Sequence, residues 1–334
     1  MQLEQRDSYP EKLLNAKPNE LHQILPQPTL FHLSGKISKP LFISVLQHGN
    51  EPTGFLALQA LLKKYHSLGL PRSLSFFLGN TLAAGRGHRH LENQPDFNRI
   101  WPGTELPASP ESQIAAEIVA IMEQKSPFAS IDIHNNTGLN PHYACINKLE
   151  NRFIYLASLF SRLIVHFTRP KGVQSDAFAK FCPAVTLECG KPGQKYGVEH
   201  ALDFVDTCLH LSELKDQPIS SKNIDLFHTV ARVKVKENID FSFHKQASLM
   251  LNNDLEWMNF TEIPAGTKLG KVEQQNTLPL TAKNEQGLDV SDNFFSINNF
   301  ELQINRQTMP SMLTLNEQII RQDCLCYLME RISL

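Results

Sequence analysis

The octet Gln47-His48-Gly49-Asn50-Glu51-Pro52-Thr53-Gly54 sets an imidazole and a carboxylate three positions apart. Both can face one cation if the backbone turns tightly, and Gly49 permits that turn. A borderline metal such as zinc accepts imidazole nitrogen and carboxylate oxygen together. Three protein ligands would leave its fourth position open for water, as in catalytic zinc sites. A second His-x-x-Glu, His210/Glu213, falls in a predicted amphipathic helix and reads as solvated surface. The first pair follows a predicted strand, and ligands of open α/β sheets collect outside the carboxyl ends of strands. The plainer reading of that pair is a helix-capping turn with an exposed Glu51.

A third ligand should also sit at a strand end. Ile131-Asp132-Ile133-His134-Asn135-Asn136-Thr137 supplies one: strand residues, then His134, then a polar turn. Asp132 and His134, two apart on a strand, point the same way, so Asp132 could accept from a ligand imidazole. The alternative is a partly buried Asp132 tied to nearby backbone. Glu188 ends the apolar run Ala184-Val185-Thr186-Leu187. In a low-dielectric cleft its pKa would rise towards neutrality, and it could take a proton from water. Taken alone, Glu188 also reads as an ordinary exposed residue at a strand exit. Asp96-Phe97-Asn98-Arg99 offers a guanidinium fork that matches a carboxylate. Arg89 is a candidate to stabilise an oxyanion. His88 and His90 follow no strand and read as solvated loop residues.

These residues need a frame. Strands are predicted at 41–46, 74–78, 130–133, 143–146, 163–167 and 183–187, and helices at 55–65, 110–123, 150–160 and 197–214. Ser109 caps the second of these helices and Pro110 takes its first position. Short apolar strands alternating with amphipathic helices argue for an α/β sheet buried on both faces. Residues 1–38 read as a polar lead-in. The pattern stops near Gln217-Pro218-Ile219-Ser220-Ser221. Beyond it Thr229–Val235 alternates with period two, Gly and Pro recur, and only Asn316–Glu330 hints ambiguously at a helix. The expected domains are 1–221, holding the site, and 222–334, mainly β and shaping the cleft.

The totals narrow the class. The 334 residues are 41% hydrophobic and 20% charged, with a formal net charge of -2. That is enough chain for a sizeable core, and no overall field favours nucleic acid or a membrane surface. Met1–Glu11 lacks the apolar core of a signal peptide, and no run approaches the roughly 18 apolar residues that span a bilayer. No G-x-G-x-x-G or G-x-x-x-x-G-K-[ST] follows a strand, which argues against a nucleotide fold. The six cysteines suit reduced thiols better than a disulfide frame. A cytoplasmic protein is expected.

In order, these pieces resemble the succinylglutamate desuccinylase/aspartoacylase family of zinc carboxypeptidase-like hydrolases. Its His-Gly-(Asn/Asp)-Glu is similar to His48-Gly49-Asn50-Glu51, and its Asp-Leu-Asn-Arg to Asp96-Phe97-Asn98-Arg99. Its Asp-Leu-His is similar to Asp132-Ile133-His134, and its Glu-x-Gly to Glu188-Cys189-Gly190. Arg89-His90-Leu91-Glu92 resembles its Arg-(Tyr/Phe)-x-Glu, with a longer gap to Asn98. Asn140-Pro141-His142-Tyr143 and Pro279-Leu280-Thr281-Ala282-Lys283-Asn284 resemble desuccinylases in particular. The resemblance covers most of 41–200 and, loosely, 250–310. It implies a mixed sheet with helices on both faces plus a smaller C-terminal mainly-β domain. It also implies one zinc per chain at His48, Glu51 and His134, Glu188 as general base, and Asn98 and Arg99 on a substrate carboxylate. The expected reaction is deacylation of a small anionic N-acyl amino acid. The same chemistry on short peptides, or zinc binding without catalysis, would be its nearest alternatives.

Overall fold

The computed structural model describes residues 2–332; residues 1, 333 and 334, the outermost positions of the two expected domains, lie outside the described residues. The chain divides into two compact units. One runs to Asn135 and resumes over His142–Asp225; the other takes Asn136–Pro141 and the chain from Leu226.

The first unit begins with β1 (Glu4–Arg6), α1 (Leu21–Ile24), β2 (Thr29–Leu33) and β3 (Gly35–Val45). It continues with α2 (Thr53–Tyr65), β4 (Leu70–Leu78), α3 (Thr81–Ala84), α4 (Pro110–Lys125) and β5 (Ala129–His134). After the insertion come β6 (Tyr143–Ile146), α5 (Asn151–Ser158), β7 (Leu163–His166), α6 (Gln174–Phe178), β8 (Ala184–Glu188) and α7 (Lys195–His210). Its strands lie in the order β1-β2-β4-β3-β5-β8-β6-β7. The centre is parallel: β4, β3, β5 and β8 run together, with Val45 beside Ile133 and His134 beside Glu188. β2 is antiparallel to β4, and β6 is antiparallel to β8, so the sheet is mixed. β5 and β8 are buried along their length, and β3 and β4 are buried over their C-terminal halves, as in a sheet covered on both faces.

The lead-in is a correction. Residues 2–38 are more than a polar lead-in: β2 carries the fully buried Leu30 and Phe31, and Phe31 stacks on Phe76 at 4.6 Å. A five-residue strand just after two prolines gives a weak local signal, and its pairing with β4 decides its fate. The helix expected over 197–214 ends at His210, so Glu213 lies beyond it. Leu211 takes an extended conformation, and its carbonyl accepts from Arg72 Nη2 at 2.6 Å. α4 keeps its expected start: Ser109 and Ser112 cap one another, with Pro110 at the first position.

The second unit is mainly β. It holds β9 (Asp225–Val235), β10 (Phe241–Ser242), β11 (Leu249–Leu251), β12 (Lys268–Val272) and β13 (Leu280–Lys283). α8 (Ser291–Phe294), β14 (Phe295–Asn298), β15 (Glu301–Ile304), β16 (Met309–Ser311), α9 (Glu317–Gln322) and β17 (Cys326–Arg331) complete it. β9 pairs with β13 and β17, and β10-β11-β12-β15-β14 form a separate sheet. An apolar core including Val233, Leu249, Leu280, Leu302 and Leu328 fills this unit. The ambiguous 316–330 stretch resolves into one short helix and a strand, because Cys326–Arg331 has β9 to pair with. Among the described residues no helix is long and apolar enough to cross a membrane.

Candidate metal centre

His48 and Glu51 stand on the loop that joins β3 to α2. The chain leaves β3 through Leu46, fully buried and in the left-handed region at φ 57°. A residue with a Cβ there is strained by about a kilocalorie per mole or more. Hydrogen bonds from Gly79 N to Val45 O (3.0 Å) and Asn80 N to Leu46 O (2.7 Å) hold the turn in place. Gly49 then passes against α3: a Cβ there would lie 2.2 Å from Ala84 N. Its N–H donates to Arg89 O at 3.1 Å, which binds the two site loops together.

The turn brings His48 Nδ1 to 2.8 Å from Glu51 Oε1. From the end of β5, His134 Nδ1 comes to 2.7 Å from Glu51 Oε2. The two rings have centroids 5.0 Å apart, and all three side chains are buried. His48, Glu51 and His134 therefore form one candidate ligand group, their donor atoms all within 4.8 Å of one another.

Each imidazole is held from behind by a carboxylate. His48 Nε2 lies 3.0 Å from Asp96 Oδ1, and His134 Nε2 lies 2.8 Å from Asp132 Oδ2. Such a partner fixes the ring and its tautomer, leaving Nδ1 to face a cation. Asp132 in turn accepts from Ser44 Oγ at 2.6 Å, its register neighbour on β3. Asn135 clamps the loops around Glu51. Its N–H donates to Glu51 Oε2 (3.2 Å), its amide oxygen accepts from Thr53 N (3.2 Å), and its Nδ2 donates to Gly190 O (2.9 Å).

Electrostatics agree with a cation site. Burial would raise the Glu51 carboxyl, but the charges of His48 and His134 outweigh it and hold it far below the ordinary range. Burial would likewise raise Asp96, yet Arg89, His48 and Arg99 hold it well down. His134, which burial alone would lower, is pushed well above the usual imidazole value by Asp132 and Glu51. Three carboxylates thus gather around two imidazoles, and Arg89 is ion-paired with two of them, at 2.8 Å from Asp96 and 3.9 Å from Glu51. Two nitrogens and a carboxylate suit a borderline ion such as zinc.

The other sequence candidates sit close by. Glu188 is in register with His134 on the adjacent parallel strand and directly opposite Tyr143 on the antiparallel one. Its charge, after burial, raises both Cys145 and Cys189. Gly190, at φ 72°, lets the chain turn off β8. Arg89 is bound to Asp96 through Nε (3.1 Å) and Nη2 (2.8 Å). Asn98 is buried, with Nδ2 3.2 Å from His134 Nε2. Arg99 is half-buried, and its Nη1 donates to Asn98 O at 2.7 Å. His88 is exposed and His90 half-buried, with Nδ1 3.0 Å from Leu91 O. Asp96, Ser44 and Asn135 have no role in the sequence reading. Asn135 directly follows His134, and a polar residue at that position was the available signal.

Comparison with known proteins fits this geometry. A model of the succinylglutamate desuccinylase/aspartoacylase catalytic domain matches residues 38–211. A search among curated proteins finds no match. Among solved structures, the chain is similar to succinylglutamate desuccinylase from Chromobacterium violaceum. The TM-score is 0.59 at 16% identity, over 90% of this chain and 86% of that one. Murine aminoacylase 3 gives 0.59 at 16% identity, over 90% and 97%. The ectoine utilization protein EutE (DoeB) from Ruegeria pomeroyi gives 0.55 at 13%, over 91% and 88%. At such identities these structures share the fold: a mixed α/β sheet flanked by helices, with a smaller β-rich region. With more than half of its length matched by the family model, the chain belongs to the succinylglutamate desuccinylase/aspartoacylase family.

Proposed function

We propose that the chain is a zinc-dependent amidohydrolase, with one zinc per chain. It would remove the acyl group from an N-acyl amino acid or a similar small amide bearing a carboxylate. The observation that carries this reading is the buried His48–Glu51–His134 group with Glu188 in register beside it. The names of the similar structures, succinylglutamate desuccinylase and aminoacylase, fit a substrate of that kind.

Zinc held by the three side chains supplies Lewis acidity and lowers the pKa of nearby water. Glu188 takes the proton of the attacking water and passes it to the departing nitrogen. Arg89, fixed by Asp96, turns its positive charge to the developing oxyanion. Arg99 and Asn98 hold the substrate carboxylate and so place the scissile bond. A cytoplasmic location belongs to the same reading and is supported by six buried cysteines that form no disulfide among the described residues.

The test is hydrolysis of a panel of N-acetyl and N-succinyl amino acids by zinc-loaded protein, beside short peptides. Turnover of the acyl amino acids and not of the peptides is expected. Glu188→Gln should keep about one zinc per chain and lower kcat by roughly a hundredfold or more. A variant that still turns over at the parent rate would remove Glu188 from the mechanism.

A further inference from the structure

His142, just before β6, and His200, within α7, meet inside the first unit. Their Nδ1 atoms are 2.6 Å apart, with ring centroids at 5.0 Å and planes within 15°. The two rings therefore meet edge to edge, nitrogen facing nitrogen. Two neutral imidazoles share one proton in this way, one donating and the other accepting. Burial and the neighbouring His200 hold His142 below the ordinary imidazole value, which favours that neutral form. Each ring is also stacked: Tyr196 lies against His142 at 5.1 Å, and Phe160 against His200 at 4.2 Å.

The other edge of His142 faces the turn that follows Glu188. A Cβ on Gly190 would lie 3.0 Å from His142 Nε2 and 3.5 Å from Gln194 Oε1. Nε2 is buried there without a hydrogen-bond partner, so the polar hold on the ring comes through Nδ1. The same turn is tied to the metal centre. Cys189 N donates to His134 O at 3.0 Å, and Gly190 O accepts from Asn135 Nδ2 at 2.9 Å. A Cβ on Gly197 would lie 2.5 Å from Cys189 O, so the first turn of α7 packs directly on it. An apolar side chain at position 142 would fill the space beside Gly190 without an unmet nitrogen. Packing alone therefore does not explain a histidine here.

We infer that His142 and His200 are positioning residues for the proposed general base. Their shared proton locks the His142 ring, and its Nε2 edge braces Gly190, which fixes the turn that carries Glu188 off β8. The inference rests on the proposed hydrolysis and adds the pair that keeps its base in line.

Two replacements of His200 separate the hydrogen bond from the stacking. His200→Phe keeps a ring against Phe160 and removes the nitrogen. His200→Asn keeps a polar amide atom near the place of Nδ1 and removes the ring. Bound zinc, and kcat and KM for an N-acyl amino acid, are measured for each. A base held out of line slows the chemistry and not the binding, so His200→Phe should lose about tenfold or more in kcat, with KM within about threefold and zinc retained. His200→Asn should keep kcat within about threefold of the parent. Parent-like kcat in His200→Phe, or a His200→Asn no faster than His200→Phe, would overturn the inference. Should His200→Phe fail to fold, His142→Asn decides. It keeps an amide atom towards His200 and removes the edge against Gly190. Its kcat should also fall about tenfold or more, and an unchanged kcat overturns the assignment.

Amide hydrogen exchange reads the brace without turnover. The Cys189 N–H should exchange about tenfold or more faster in His200→Phe than in the parent, and near the parent rate in His200→Asn. If the parent hydrolyses no N-acyl amino acid but exchange follows this order, the proposed reaction fails and the brace stands. Equal exchange in the parent and both variants overturns the brace, whatever the parent hydrolyses.

Discussion

His134 makes its two ring contacts to carboxylates on opposite sides, Glu51 at Nδ1 and Asp132 at Nε2. The first is a fellow candidate ligand, and the second sets the tautomer and orientation of the ring. Asp132 is wholly buried and held by Ser44. Replacing it with asparagine keeps the shape but removes the charge behind the imidazole. Zinc affinity of Asp132→Asn should fall about 10–100-fold, as is usual for such partners, measured by competition with a chelator. An unchanged affinity would make Asp132 a packing residue with no bearing on the metal. Asp96 serves His48 in the same way, and Arg89 bridges it to Glu51 across the loop. The two backing carboxylates thus come from different segments, the loop after α3 and β5 itself.

At the scale of elements, the site depends on where strands stop. β3, β5 and β8 end at nearly the same level, so the residues at or just beyond their carboxyl ends, His48, His134 and Glu188, converge. The opposite end of this framework is tied by Arg72, 1% exposed. Its guanidinium donates to Lys39 O at 2.9 Å and Leu211 O at 2.6 Å, and lies 3.9 Å from the centroid of the Phe128 ring. A cation against the last carbonyls of a helix also complements its dipole, here at the end of α7. Arg72→Met should lower stability by roughly 2–4 kcal/mol, because two carbonyls lose their donor and the ring loses its cation. Urea unfolding checks this, and a loss under about 0.5 kcal/mol would mean that water replaces the guanidinium freely. The candidate metal ligands lie at or beyond the far ends of these strands, so any zinc binding by the parent protein should be unchanged in the folded variant.

For the molecule as a whole, the three candidate ligand side chains are tied to the rest of the protein by Asn135, Asp132 and Asp96 and, through Asp132, by Ser44. With the candidate ligands anchored in this way, zinc bound to the folded protein would stabilise it by mass action, and the fold is expected to persist without it. Saturating zinc, at about a hundred times its dissociation constant, should add about 2.7 kcal/mol. Scanning calorimetry with and without chelator should show a lower midpoint for the metal-free protein and a cooperative transition in both. Loss of the cooperative transition on chelation would make the metal a folding requirement.

The residue types for chemistry were legible from sequence because they sit at the ends of recognisable apolar runs. His134 closes Ala129-Ser130-Ile131-Asp132-Ile133, and Glu188 closes Ala184-Val185-Thr186-Leu187. A strand that is buried on both faces must be apolar, so a charged residue at its end stands out. The same logic exposed α4 through its cap and missed β2, whose five residues become a strand only by pairing with β4. It also ran α7 too far, since only the Arg72 contact shows where that helix stops. The sequence by itself determined the α/β class and the ligand types, since periodicity and donor chemistry are local properties of the chain. The tertiary structure alone decided that Asp96 backs His48, that Arg89 is bound to Asp96 and that Gln174 faces Asn98. Those contacts join residues 7 to 76 positions apart, and register and loop closure, which no local pattern encodes, bring them together.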